Sequence, residues 1–271
     1  MENKTEQIAL LLDNTKCIGC RGCQTSCKQW NNLSSEKTEF FGGAGYQNPA
    51  NLSGSTYTLV KFHEVVEDDK LKDWVFWKTQ CQHCINPACA SVCLVGAIQK
   101  SENGPVVWDD SKCIGCRYCM LSCPYNIPKF EWDSVMPQIR KCFLCFDRIE
   151  QGQIPSCAKT CPTEAIMYGT RNELIEIAED RLSSQPDKYY QHIYGLNEVG
   201  GTLILNISSI PLEEMGYPKN LTTEPLASRT ATSISSISPV VVGLGAALGL
   251  FAIITNRKNE IAKQKAKEVL K

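Results

Sequence analysis

The chain has 271 residues, 16 of them cysteine, with 28 Lys and Arg against 29 Asp and Glu and a formal net charge of −1. Near-balanced charge with no nucleic-acid motif excludes nucleic acid as a partner class, and the length allows one or two domains. Cysteine at this density moves the question from the apolar core to what the thiols hold.

Residues 8–13 are a short apolar run that reads as a strand, delivering the chain into Cys17, Cys20, Cys23 and Cys27 at C-x2-C-x2-C-x3-C spacing. Residues 29–69 are rich in Asn, Ser, Gly and Pro. Gly42, Gly43 and Gly45 cluster there, with turn signals at Asn48-Pro49 and Ser53-Gly54, so the stretch reads as an inserted loop. Its end, residues 57–62, alternates like a strand, and residues 73–78 are a second strand candidate whose aromatics are expected to build core. Next come Cys81, Cys84, Cys89 and Cys93. Residues 94–98 and 104–107 read as strand, turn and strand leading to Cys113, Cys116, Cys119 and Cys123, with Pro124 following. Lys16-Cys-Ile-Gly-Cys-Arg and Lys112-Cys-Ile-Gly-Cys-Arg are identical, an internal repeat of strand, ligand loop and helix. The last set is Cys142, Cys145, Cys157 and Cys161, and Glu164-Ala-Ile beyond it echoes Gly96-Ala-Ile.

Leu174, Ile175, Ile177, Ala178 and Leu182 form a helical stripe over residues 171–182, expected to pack on the cysteine-rich domain. Residues 202–207 read as a strand after a Gly200-Gly201 turn, and residues 222–238 as a polar linker closing a domain that spans 1–221. Residues 239–255 are uncharged and nearly all apolar; with Ile237 the stretch reaches roughly 19 residues, near the ~20 a spanning helix needs. The tail, residues 256–271, carries Arg257, Lys258, Lys263, Lys265, Lys267 and Lys271 against Glu260 and Glu268. By the positive-inside rule it stays cytoplasmic and the cysteine domain faces the periplasmic side, in a single-pass arrangement at the cell membrane. Gly245-Ala-Ala-Leu-Gly249 matches G-x-x-x-G, a pattern that arises easily by chance in a Gly-rich anchor. No basic n-region, twin arginine or apolar h-region precedes the first cysteine run, so the chain is expected to cross with a signal-bearing partner.

Thiols that recur in threes at two-residue spacing leave poor geometry for separate disulfides. Zinc prefers two C-x2-C knuckles set well apart, a pattern that Cys142, Cys145, Cys157 and Cys161 alone could pass for. The run from Cys113 to Pro124 has the bacterial ferredoxin spacing, in which three thiolates on one tight loop hold one cubane and the fourth ligates its neighbour. Gly115 lets the backbone turn toward the sulfurs. Four [4Fe-4S] clusters use all sixteen cysteines.

Sets two and three, joined by a short hairpin, are expected to be mates, which leaves sets one and four. One cluster then takes Cys81, Cys84, Cys89 and Cys123, and a second takes Cys93, Cys113, Cys116 and Cys119. A third takes Cys17, Cys20, Cys23 and Cys161, and a fourth takes Cys27, Cys142, Cys145 and Cys157. The expected fold class is α+β, two pseudo-symmetric dicluster-ferredoxin modules plus a C-terminal transmembrane helix. His83 is expected to be a surface or supporting residue because its set already has four thiolates; His63 and His192 are read the same way, and none lies in the anchor to ligate a membrane haem. No nucleophile, acid–base pair or nucleotide loop is evident, so a non-catalytic role is expected, with a zinc-built scaffold as the rival class.

The four sets in this order, Cys-Arg-Tyr-Cys-Met-Leu-Ser-Cys-Pro-Tyr-Asn-Ile-Pro-Lys from Cys116 to Lys129, and Lys-Thr-Cys-Pro-Thr from Lys159 to Thr163 resemble the four-cluster iron–sulfur subunits of membrane oxidoreductases. The likeness covers nearly the whole chain. Tyr46-Gln-Asn-Pro-Ala-Asn-Leu and the single anchor look like the beta subunit of respiratory formate dehydrogenase. Tyr190-Gln-His-Ile-Tyr-Gly with Gly200-Gly-Thr looks like the iron–sulfur subunit of membrane [NiFe] hydrogenases. The resemblance implies an electron-transfer subunit that relays electrons from a catalytic large subunit, of molybdenum or tungsten formate dehydrogenase type or [NiFe] type, to an integral membrane subunit. It also implies export with a partner that bears a twin-arginine signal. Similar subunits serve other molybdenum or tungsten enzymes and dehalogenating complexes. One departure is Leu94, where the ferredoxin run has proline after its fourth cysteine.

Overall fold

A computed structural model describes residues 6–38, 46–235 and 237–269. Gly42, Gly43 and Gly45, the first five residues and Lys271 lie outside the described residues. The chain forms two units, residues 1–228 and 229–271.

β1 (Ile8–Asp13) organises the first unit. Its apolar residues do not alternate with polar ones, because both of its faces are covered. Ala9 and Leu11 pack into one core with Leu203, Leu205 and Ile207, while Leu10 and Leu12 join another that contains Cys23, Val60, Leu144, Cys157 and Ile166. After β1 come α1 (Gly22–Trp30), the hairpin β2 (Leu59–Glu67) and β3 (Lys70–Thr79), and α2 (Ala88–Ser91). The chain continues through β4 (Ile98–Lys100), β5 (Val106–Trp108), α3 (Tyr118–Ser122), β6 (Lys129–Phe130) and β7 (Ile139–Arg140). It closes with α4 (Phe146–Glu150), α5 (Ser156–Thr160), β8 (Ile166–Thr170), α6 (Arg171–Ser184) and β9 (Ile204–Ile207).

The sheet order is β8-β1-β9. β1 runs antiparallel to β8, with Leu12 opposite Ile166, and parallel to β9, with Leu10 opposite Ile204. The strand entering the first cysteine run therefore lies beside the strand leaving the last. β4 and β5 likewise pair antiparallel, linking the exit of the second run to the start of the third. α6 is capped by a reciprocal Thr170/Glu173 box and buries Leu174, Ala178 and Leu182 against the sheet.

Several elements differ from their sequence reading. Residues 94–98 are not a strand up to Ile98: Leu94 and Val95 make a turn, Gly96 takes φ +63°, and β4 begins at Ile98. The turn brings the Ala97 N–H to 3.2 Å from the Cys93 sulfur, a contact that extended backbone would forfeit. The stretch at 29–69 begins inside α1, which reaches Trp30, and the strand expected at its end runs from Leu59 on to Glu67. The strand expected over 202–207 starts at Ile204; Thr202 instead bridges to Cys84. The segment expected as a linker holds α7 (Ala227–Ser235).

In the second unit α8 (Ile237–Val269) is continuous, so the basic residues read as a separate tail extend the helix. Its candidate span, Pro239–Lys263, contains an 18-residue window with a mean hydropathy of 1.9, and it is the one helix among the described residues long and apolar enough to cross a membrane. Val242, Leu248, Phe251 and Ile253 on it are exposed.

Asp13, at the end of β1, is 1 % exposed. Its Oδ2 accepts from Arg181 and from the Tyr189 hydroxyl, both at 2.8 Å, and its Oδ1 accepts from the Thr15 N–H at 3.1 Å. It thus ties strand, helix and the turn into Cys17 together. Asp13→Ala removes the acceptor and leaves Arg181 and Tyr189 facing a void, so the variant is expected to lose about 3 kcal/mol of stability. Denaturant unfolding against the parent protein measures the loss.

Candidate iron–sulfur centres

The repeat seen in the sequence is repeated in the backbone. Asp13 and Asp109 each cap a 3₁₀ turn by accepting from the residue two further on, Thr15 or Ser111, just ahead of Cys17 or Cys113. Gly19 and Gly115 follow at φ +65° and +66°, and Arg21 and Arg117 at φ +60° and +65° start the helices α1 and α3. Each glycine lies against an aromatic ring, Phe76 for Gly19 and Phe130 for Gly115. The guanidinium of Arg21 lies 4.8 Å from the Phe62 ring, and that of Arg117 lies 5.4 Å from the Phe130 ring.

In each of the four sets the residue just before the second cysteine is left-handed. Besides the two glycines these are His83 at φ +48° and Leu144 at φ +61°, which accept about 1–2 kcal/mol each for that conformation. The turn aims backbone N–H groups at sulfur: Leu144 N–H lies 3.4 Å from the Cys142 sulfur, the Gly19 N–H reaches Cys17, and the Tyr125 and Ile127 N–H groups reach Cys123. Glu164, which echoes Gly96 in sequence, also echoes its left-handed conformation at φ +52°. The side-chain amide of Asn31 donates to the Cys27 sulfur at 3.6 Å.

The sixteen thiols gather into foursomes. Cys17, Cys20, Cys23 and Cys161 line one cavity, and Cys93, Cys113, Cys116 and Cys119 line another. Cys84 is influenced by Cys81, Cys89 and Cys123, and Cys27 by Cys142, Cys145 and Cys157. Three electrostatic influences pass between foursomes: Cys157 on Cys23, Cys81 on Cys142, and Cys119 on Cys89. Among the described residues no three His, Cys, Asp or Glu side chains converge closely enough to hold a single metal ion. Thiols that share a space yet stand too far apart for one ion fit a larger body, and the amides turned toward them fit a sulfur-rich, negatively charged one.

Burial dominates the thiol chemistry. It pushes Cys23, Cys119 and Cys142 up to about 12, and Cys123 and Cys145 up to about 11. His83 is not a surface residue: it is fully buried, and its Nδ1 accepts from the Val106 N–H at 3.0 Å. Burial, followed by the charges of Lys141, Lys100 and Lys78, holds its pKa well below the ordinary histidine value. The ring is neutral with its proton on Nε2, an atom with no hydrogen-bond partner in the described structure. His192 instead pairs with Glu198 at 2.7 Å, and His63 stacks near Trp77.

Two buried lysines were not singled out by sequence reasoning. Lys78 lines the first cavity, and Lys141 donates to the Cys142 carbonyl at 3.0 Å and to the Val106 carbonyl. One signal was present, since Lys78 falls inside residues 73–78, the strand whose aromatics are expected to build core.

Residues 72–171 match the 4Fe-4S dicluster domain family. The iron–sulfur subunit of the nitrate-inducible formate dehydrogenase of Escherichia coli K12 is 39 % identical over 220 residues, covering 79 % of this chain and 73 % of that protein. The chain belongs to the family of formate dehydrogenase iron–sulfur subunits. Within that family's reach are also the hydrogenase-2 operon protein HybA of Escherichia coli O157:H7, 34 % identical over 246 residues (78 % of this chain, 73 % of HybA), and a protein of Nitratidesulfovibrio vulgaris, 37 % identical over 269 residues (98 % and 71 %). As an iron–sulfur electron-transfer subunit related to both, the chain has a use for buried thiols grouped around left-handed turns.

The raised thiol pKa values have a consequence for the metal-free chain. A group whose folded pKa lies above its unfolded value of about 9 stabilises the fold below pH 9, and that stability is lost as pH climbs through the folded pKa of about 11 to 12. Iron-stripped protein is therefore expected to melt at progressively lower temperature from pH 9 to pH 11. Iron-loaded protein, whose thiols are already deprotonated, is expected to lack this slope; thermal denaturation of both forms across that range is the check.

Proposed function

We propose that the chain is a non-catalytic relay carrying four [4Fe-4S] clusters, passing electrons between a catalytic subunit and a membrane partner. What supports the reading is that two cavities are each lined by four cysteines, and that the thiols acting on Cys84 and on Cys27 are those the ferredoxin pairing of three ligands from one run with a fourth from its mate calls for. The clusters, when bound, supply sites that take up and release single electrons. The residues' own work is to hold, insulate and tune. Cys17, Cys20, Cys23 and Cys161 would hold one cluster; Cys27, Cys142, Cys145 and Cys157 the next; Cys81, Cys84, Cys89 and Cys123 the third; and Cys93, Cys113, Cys116 and Cys119 the last. The electrostatic influences that pass between foursomes support this linear order. The two end sites are thinly covered, by Ile18 at 58 % exposure and Ile114 at 64 %, as suits points of electron entry and exit.

The paired strands at β1/β8 and β4/β5, each flanked by a repeated ligand loop, support two pseudo-symmetric modules within residues 1–221, followed by the spanning helix. The basic residues after the apolar residues 239–255 support a cytoplasmic C-terminal end and a cluster domain on the outer face. The names of the relatives support a catalytic partner of the formate dehydrogenase or hydrogenase class.

Metal analysis of the purified complex is expected to give about sixteen irons for this chain, four per cluster. Zinc in place of iron would end the reading. Molybdenum or tungsten in the co-purifying large subunit would assign a formate dehydrogenase type, and nickel a hydrogenase. Cys161→Ala is expected to disturb the cluster of the first run while sparing the one held by Cys142, as read by electron paramagnetic resonance; the reverse would overturn the pairing. Protease added to intact spheroplasts is expected to digest the cysteine domain and leave the C-terminal end protected.

A further inference from the structure

Lys78 is 4 % exposed and lies at the inner end of β3, opposite Val60 of β2. Directly opposed residues of a hairpin share a face, and Val60 packs on Cys23 and Cys157, with Phe62, Phe76 and Cys161 in the same cluster. The lysine thus faces two foursomes together. It lines the cavity with Cys17, Cys20, Cys23 and Cys161, and the groups that act on its charge are Cys157, Cys23, Cys142 and Cys27. Among the described residues no carboxylate lies within ion-pair distance of it. An ammonium buried without a carboxylate is costly unless another negative charge meets it. The thiolate-bound sites on either side are the negative charges available.

We propose that Lys78 is a shared counter-cation for two sites, those of Cys17, Cys20, Cys23, Cys161 and of Cys27, Cys142, Cys145, Cys157, and that it holds both at a higher reduction potential. The inference rests on the iron–sulfur reading above. Reduction adds one electron to a site, with no bond broken and no proton taken up, so the site becomes one unit more negative. A fixed positive charge in a low-dielectric interior favours that state over the oxidised one. Lys141 acts instead on Cys89 and Cys123, in the third site. No buried lysine lines the cavity of the last site, which serves as an internal control.

The test is an electron-paramagnetic-resonance redox titration of the complex purified with its catalytic partner, for the parent protein, Lys78→Met and Lys78→Arg, with the Cys161→Ala variant identifying the first site. In Lys78→Met two transitions are expected to move to lower potential by at least tenfold in electron affinity, about 59 mV for one electron. They are expected to return in Lys78→Arg, while the transition of the last site stays in place. Unmoved transitions, movement of one site alone, or an equal shift of all four would overturn the inference. If the methionine variant loses iron, retention of about eight irons, from the two sites away from Lys78, supports it, and loss from all four sites overturns it. A parent protein with zinc and no iron would remove the underlying reading, whereas full iron with unmoved transitions would remove Lys78's role alone.

Discussion

Four thiols can share one buried space only if the chain reverses between neighbouring ligands, and the left-handed residue before the second cysteine of each set makes that reversal. Gly19 and Gly115 adopt it freely, whereas His83 and Leu144 hold it against steric cost. What retains those two is burial on every side: Leu144 sits in the core that receives Leu10 and Leu12, and His83 is clamped by the Val106 N–H. The same turns orient backbone amides toward sulfur, so one local conformation serves both to converge the ligands and to temper their charge. The rest of the first unit keeps these turns in place. Strands deliver the chain into them, short helices carry it away, and aromatic rings close over the glycines.

The second theme is charge. Burial pushes the thiols toward the protonated form, which a metal core must displace. The interior answers with cations as well as amides, since Lys78 and Lys141 are both buried among the thiols. In the proposed relay these lysines and the unpartnered Nε2–H of His83 are the chain's own means of making four similarly ligated sites unlike one another. Exposed Ile18 and Ile114 belong to the ends of the series, where partner subunits would close the remaining distance.

Much of this was legible from residue order. β1, the hairpin of β2 and β3, β5 and α6 lie where apolar runs and alternation placed them, because each buries one continuous patch of side chains in a regular period. The errors were at places where a backbone amide had a better partner than a strand. Residues 94–95 turn to meet the Cys93 sulfur, and Thr202 leaves the strand to bridge Cys84. Polar composition at 222–238 read as linker, yet Ala227–Ser235 is helical. His83 read as a surface or supporting residue, and burial excludes the first of these, which nothing local in the sequence marks.

The sequence by itself determined the sixteen candidate ligands, their repeat and the apolar C-terminal helix, because ligand spacing and hydrophobic length are local properties of a chain. It also carried the family resemblance. Only the tertiary structure decided that Lys78 and Lys141 lie among the thiols and that His83 is buried, with an Nε2 that has no hydrogen-bond partner among the described residues. Those facts depend on strands more than a hundred residues apart, β1 against β8 above all, and on the burial that such pairing creates.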